Sequence, residues 1–86
     1  MEYNITHNKD QKRFELEIDG MLCHIDYELK DTDILFTHTY VPVSLEGKGI
    51  ASALTRHALD FAHHHRFTVV PLCSFVKAYM KRHSTE

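Results

Sequence analysis

Apolar and polar residues alternate along the first half of the chain and then change to a helical period. Residues 14–18, Phe-Glu-Leu-Glu-Ile, alternate apolar with acidic side chains, the pattern of a half-buried antiparallel strand. Asp19-Gly20 follows, a dipeptide suited to a two-residue hairpin turn. Residues 21–29 alternate again, with Met21, Cys23, Ile25, Tyr27 and Leu29 on one face and Leu22, His24, Asp26 and Glu28 on the other. Asp31-Thr32-Asp33 makes the next turn. Residues 34–41, rich in β-branched and aromatic side chains, form a strand that stops at Pro42. A short edge strand is expected at residues 3–6.

From Gly49 the period changes. Ile50, Leu54, Ala58 and Phe61 recur at helical spacing with Ala51, Leu59 and Ala62 beside them, one apolar stripe along about four turns. The helix ends near residues 63–66, His-His-His-Arg, which suit its negative end. Residues 67–72 read as a compact strand buried on both faces. Ser74 reads as the N-cap of a last helix over 75–83, with Phe75, Ala78 and Tyr79 at helical spacing. The order β-β-β-β-α-β-α predicts an α+β fold with a mixed sheet. Residues 34–72 form a βαβ unit whose two strands are parallel. Its helix then starts at the carboxyl end of the first strand, where such sheets hold ligands.

Composition narrows the function classes. With 86 residues the chain allows one domain, residues 1–86. A formal charge of −2 argues against non-specific nucleic-acid binding, which needs clustered Lys and Arg. No apolar run approaches the roughly 20 residues that cross a bilayer, and no signal peptide is visible, so no membrane partner and a cytoplasmic location are expected. Cys23 and Cys73 are read as reduced thiols. The 8 histidines raise the question of a metal. His63, His64 and His65 point in different directions on a helix, and His57 lies seven positions from His64, so no metal site is expected.

The loop before the helix carries the candidate chemistry. It runs Val41-Pro42-Val43-Ser44-Leu45-Glu46-Gly47-Lys48-Gly49-Ile50-Ala51. Glycines at 47 and 49 permit positive φ and close approach to main-chain N–H groups, and the first helical N–H groups have no partner within the helix. Such a loop is either a tight turn or a cradle for a phosphate or pyrophosphate. It lacks the third glycine of a dinucleotide fingerprint and the Gly-Lys-Ser/Thr ending of a P-loop.

Three motifs in order, His38-Thr39-Tyr40-Val41-Pro42, then Gly47-Lys48-Gly49-Ile50-Ala51, then Pro71-Leu72-Cys73-Ser74-Phe75, resemble the GCN5-related N-acetyltransferases. They are most similar to a subfamily of small members that lack the C-terminal strands of larger ones. The resemblance spans nearly the whole chain. It implies acetyl-coenzyme A (acetyl-CoA) as cofactor. Val41 and Val43 would bond its pantetheine arm through their backbones, beside a strand splayed from its parallel neighbour. Gly47, Lys48, Gly49, Ile50 and Ala51 would wrap its pyrophosphate. Larger members begin this loop with Gln or Arg where Ser44 stands here, which leaves the pyrophosphate to main-chain N–H groups.

Acetyl transfer needs a nucleophile and an acceptor for its proton. Cys73 lies at the carboxyl end of the last strand just before a helix, where a thiol pKa falls and the thiolate is the strong nucleophile. His38 lies on the neighbouring strand and is the candidate base or hydrogen-bonding partner. The resemblance marks this cysteine and this histidine as active-site candidates, and together they imply an acetyl-cysteine intermediate. Cys23 reads as structural, and Tyr79 as packing with an acid role as the alternative. The expected function is acetyl-CoA-dependent acetylation of a primary amine, small or on a protein. The alternative is a CoA- or acyl-CoA-binding module without significant catalysis, because strands that usually help build an acceptor pocket are missing. The absence of Cys-x-x-Cys counts against a redox protein.

Overall fold

The computed structural model describes residues 3–83. β2 (Arg13–Ile18) and β3 (Met21–Lys30) form the hairpin that the alternation predicts. Both turn residues take positive φ, 54° at Asp19 and 78° at Gly20. Turns of that kind match the twist of the strands they join. β4 (Asp33–Tyr40) pairs antiparallel with β3, and β5 (Thr68–Pro71) pairs parallel with β4. A short β1 (Thr6–Asn8) borders β2, so the sheet order is β1-β2-β3-β4-β5. α1 (Ile50–His64) connects β4 to β5, and α2 (Ser74–Arg82) follows β5. This is the α+β order expected.

Both helices pack on one face. Phe14, Leu16, Cys23, Ile25, Tyr27, Ile34 and Phe36 of the sheet form one core with Ile50, Leu54, Ala58, Leu59 and Ala62 of α1 and Val76 and Tyr79 of α2. Full burial of side chains such as Phe14 and Phe36 is worth about 1.5–3 kcal/mol each. Among the described residues Thr55 is the one polar residue that is buried, and its hydroxyl donates to the Ala51 carbonyl at 2.8 Å. α1 stops where Arg66 takes φ 61°. There the N–H of Arg66 donates to the His63 carbonyl (3.1 Å) and that of Phe67 to the Ala62 carbonyl (2.9 Å), a Schellman closure with Arg in the place usually held by Gly. Among the described residues no helix is long and apolar enough to cross a membrane.

Four local expectations are corrected. The edge strand lies at Thr6–Asn8 rather than at residues 3–6. That register pairs His7 with Phe14, stacking the rings at 4.2 Å, and brings His7 Nε2 within 2.6 Å of the Tyr27 hydroxyl. β5 is not buried on both faces: Thr68 is exposed and residues 69–71 are half-buried, because β5 is an edge strand with helices on one side only. Ala78 is exposed, and Val76 joins Tyr79 in the core instead. Cys73 is the N-cap of α2, and Ser74 is its first helical residue.

One irregularity sets up the site. Tyr27 pairs with Phe36 and Asp26 with His38, so Thr37 is an extra residue in β4, a β-bulge. The bulge reverses the alternation beyond it. Thr39, opposite buried Ile25, faces the helices, and His38, opposite Asp26, faces the open side.

Candidate active site

Past Phe36 the parallel pair comes apart. Its register ends at Phe36 and Pro71, and the N–H groups of Leu72 and Cys73 both turn back to the Phe36 carbonyl, at 3.0 and 2.9 Å. Residues 37–40 of β4 run on with β3 on one edge and no strand on the other. The result is a slot between β4 and the start of α2.

The glycine loop closes one end of the slot. A 3-10 turn over Val43–Leu45 leads into Gly47 (φ 83°) and Gly49 (φ 77°), the N-cap of α1. Only glycine adopts both angles without strain. A Cβ at either position would meet nothing within 4 Å, so the space before them is open. The first bond of the helix runs from the Ala53 N–H to the Gly49 carbonyl at 3.0 Å. The N–H groups of Ile50, Ala51 and Ser52 therefore have no partner within the helix. No side chain caps this end, and its first turn carries no acidic residue. These groups line a cleft of about 420 Å³ together with Thr39, Val41 and Phe75. The donor set fits coenzyme A in two respects. Free N–H groups at a positive helix end suit a pyrophosphate. The unpaired edge of β4 suits an amide-bearing arm that bonds to backbone as a strand does.

Not all loop residues point the same way. Val41, Gly47, Gly49, Ile50 and Ala51 line the cleft. Lys48 is exposed, and its carbonyl accepts the Tyr3 hydroxyl at 2.6 Å. Val43 is 81% exposed, and its carbonyl is taken by the Glu46 N–H at 3.1 Å. Ser44 turns its hydroxyl to Met21 Sδ at 3.5 Å.

Cys73 stands beside the slot, half-buried, with its Sγ 3.4 Å from Thr39 Oγ1. Burial pushes its pKa up, but the Thr39 hydroxyl and the main-chain amides of Val76, Phe75 and Thr39 outweigh that and hold the thiol below its ordinary value. No first-turn N–H closes a full hydrogen bond on the sulfur, and the amides act on it electrostatically. Cys23 is the opposite case: it is fully buried, and desolvation pushes its pKa up. The structure brings Cys73 together with Thr39 and puts His38 on the other face of the sheet. There the His38 ring lies 6.2 Å from that of His24. Tyr79 is buried between the helices and stacks on His83 at 4.2 Å, away from the cleft.

The sequence did not single out Thr39, Ser52 or Phe75 as site residues. Ser52 has a readable signal, since it is the third residue of a helix that starts at a glycine cap. Thr39 lies within the first of the three motifs, but that it faces the thiol follows only from the bulge.

A family model described as GCN5-related N-acetyl-transferase matches residues 13–86. Relatives include Protein NATD1 of Mus musculus, 29% identical over 82 residues, which is 90% of this chain and 73% of that protein. Protein NATD1 of Xenopus tropicalis is 28% identical over 83 residues, again 90% of this chain and 73% of its own. The matched stretch runs from β2 through the slot, the glycine loop and both helices, and the chain belongs to the GCN5-related N-acetyltransferase family.

Proposed function

We propose that the protein is an acetyl-CoA-dependent N-acetyltransferase in which Cys73 takes the acetyl group and passes it to a primary amine. The observation that carries this reading is a thiol held below its ordinary pKa beside a slot that ends in a helix-cap anion cradle. Gly47, Gly49, Ile50 and Ala51 hold the pyrophosphate by main-chain N–H groups, and Lys48 adds its charge at the rim. Val41 and Val43 flank the pantetheine arm.

In the first step the Cys73 sulfur bonds to the acetyl carbon, the carbon–sulfur bond to CoA breaks, and the Cys73 proton ends on the departing CoA sulfur. In the second an amine attacks the acetyl-cysteine carbonyl, the new C–N bond forms, and the bond from the acetyl carbon to Cys73 Sγ breaks. The amine's proton passes through a base to the released sulfur. His38 stands on the side from which the acceptor enters and contacts it there.

Incubation with acetyl-CoA and mass analysis of peptides tests the reading. Wild type should gain one acetyl group on Cys73, and Cys73→Ala should bind acetyl-CoA yet lose both labelling and amine acetylation. Binding with no labelling and full turnover in Cys73→Ala would remove the cysteine from the mechanism. Binding with no turnover in wild type would leave a CoA-binding module.

A further inference from the structure

The open face of the sheet carries a second arrangement of reactive groups, on β3, across β4 from the slot. His24 and Asp26 are two apart on β3 and so share a face, and His24 Nδ1 lies 2.8 Å from Asp26 Oδ1. Both side chains are partly exposed, at 17% and 31%. A carboxylate only accepts, so Nδ1 carries the hydrogen, and in the neutral ring it is Nε2 that holds the lone pair. Across β3 and β4, His24 pairs with Tyr40 and Asp26 with His38. The Tyr40 ring lies 5.6 Å from that of His24. Tyr40 also lines the cleft, so one residue touches both sides of the slot.

The neighbours on β2 leave this pair available. Glu15 lies opposite His24 and Arg13 opposite Asp26, but Arg13 Nε donates to Glu15 at 2.6 Å. That bond holds the Glu15 carboxyl below its usual range and occupies the arginine, so Asp26 keeps His24 as its partner. Glu17 and Glu28 add acidic charge to the same face, with Lys12 3.6 Å from Glu28. Such a surface attracts a cation. Neither His24 nor Asp26 belongs to the core.

We propose that this open face is the acceptor side of the enzyme, with His24 as the base that deprotonates a primary ammonium group and Asp26 as the residue that positions it. The proposal rests on the acetyltransferase reading above. The ammonium gives one proton to His24 Nε2, and the imidazolium so formed is balanced by Asp26. The neutral amine attacks the acetyl carbon through the slot, past His38 and Tyr40. The bond from that carbon to Cys73 Sγ breaks, the second proton lost from the nitrogen passes to the sulfur so released, and His24 gives the first proton to solvent.

The test separates the two half-reactions and adds a readout that needs no acetyl donor. His24→Ala and the more conservative His24→Gln should still label Cys73 from acetyl-CoA, yet transfer to an amine should fall at least about a hundredfold, the usual worth of a general base. Asp26→Asn should lower kcat with KM for the amine little changed, and the ¹⁵N spectrum of His24 should move from the Nδ1–H toward the Nε2–H tautomer. Two probes, a lysine-containing peptide and spermidine, distinguish a protein-borne ammonium from a small polyamine. At least one should shift the His24 and Tyr40 resonances without acetyl-CoA. Transfer within twofold of wild type in His24→Gln, or His24 resonances unmoved by both probes, overturns the proposal. If acetyl-CoA neither binds nor labels wild type, the acetyltransferase reading falls and the base role with it. That result is distinct from labelling that proceeds while His24 proves dispensable.

Discussion

β4 is one strand with two different halves. Residues 33–36 are paired on both edges, to β3 and to β5, and contribute fully buried Ile34 and Phe36 to the core. Beyond the unpaired Thr37, residues 38–40 are paired to β3 alone and contribute Thr39 to the slot and His38 and Tyr40 to the open face. An unpaired strand edge costs stability unless something bonds to it. The first half stabilises the fold, and the second half leaves backbone groups and a thiol free for chemistry. The bulge at Thr37 marks the boundary between them.

Substitutions along the strand should separate these roles. Phe36→Ala should destabilise the protein by about 3–5 kcal/mol, read from urea unfolding, because it empties a fully buried site. A loss under about 1 kcal/mol would mean that the paired half is not the rigid part. The two thiols should differ next most widely. Iodoacetamide should modify Cys73 with a rate that rises with pH through a midpoint below that of a free thiol. Cys23, buried and pushed up in pKa, should stay unmodified until the protein unfolds. Equal reactivity would contradict the contrast.

Thr39→Val should leave urea unfolding nearly unchanged while slowing Cys73 alkylation about tenfold near neutral pH, since a hydrogen bond to a charged group is worth about 1.5–3 kcal/mol. An unchanged rate would assign the low thiol pKa to the helix amides alone. The smallest effect belongs to the far edge of the sheet. Burial lowers the pKa of His7 below 6.5, so the unfolded chain takes up this proton first as pH falls. Stability from His7 is present above that value and is lost as pH drops through it. The urea midpoint should fall between about pH 7.5 and 5.5 in wild type, and less so in His7→Phe.

Much of this arrangement is legible in the sequence. Phe14 and Leu16 against Cys23, Ile25 and Tyr27 give the hairpin and its buried face by alternation alone. Ile50, Leu54 and Ala58 give the buried side of α1. The glycine pair gives the cap because only a positive φ explains both positions before a helical run. What escapes the sequence depends on pairing between strands. Strict alternation from Ile34 and Phe36 carries His38 to the helix side, beside Cys73. One extra residue at Thr37 reverses that and exchanges His38 for Thr39, and nothing in the local composition marks the insertion. The exposure of β5 was hidden for a related reason. An apolar run such as Thr68-Val69-Val70-Pro71 reads alike in a central strand and at an edge with one covered face.

The proposed function depends above all on acetyl-CoA seated between the unpaired half of β4 and the glycine cap of α1. Calorimetric titration of acetyl-CoA into wild type and Gly49→Trp tests it most directly, with thermal unfolding of both as a check that the variant still folds. Wild type should show saturable one-site binding, and a folded Gly49→Trp none. Absence of binding to wild type at millimolar acetyl-CoA, or equal binding by the variant, would contradict it.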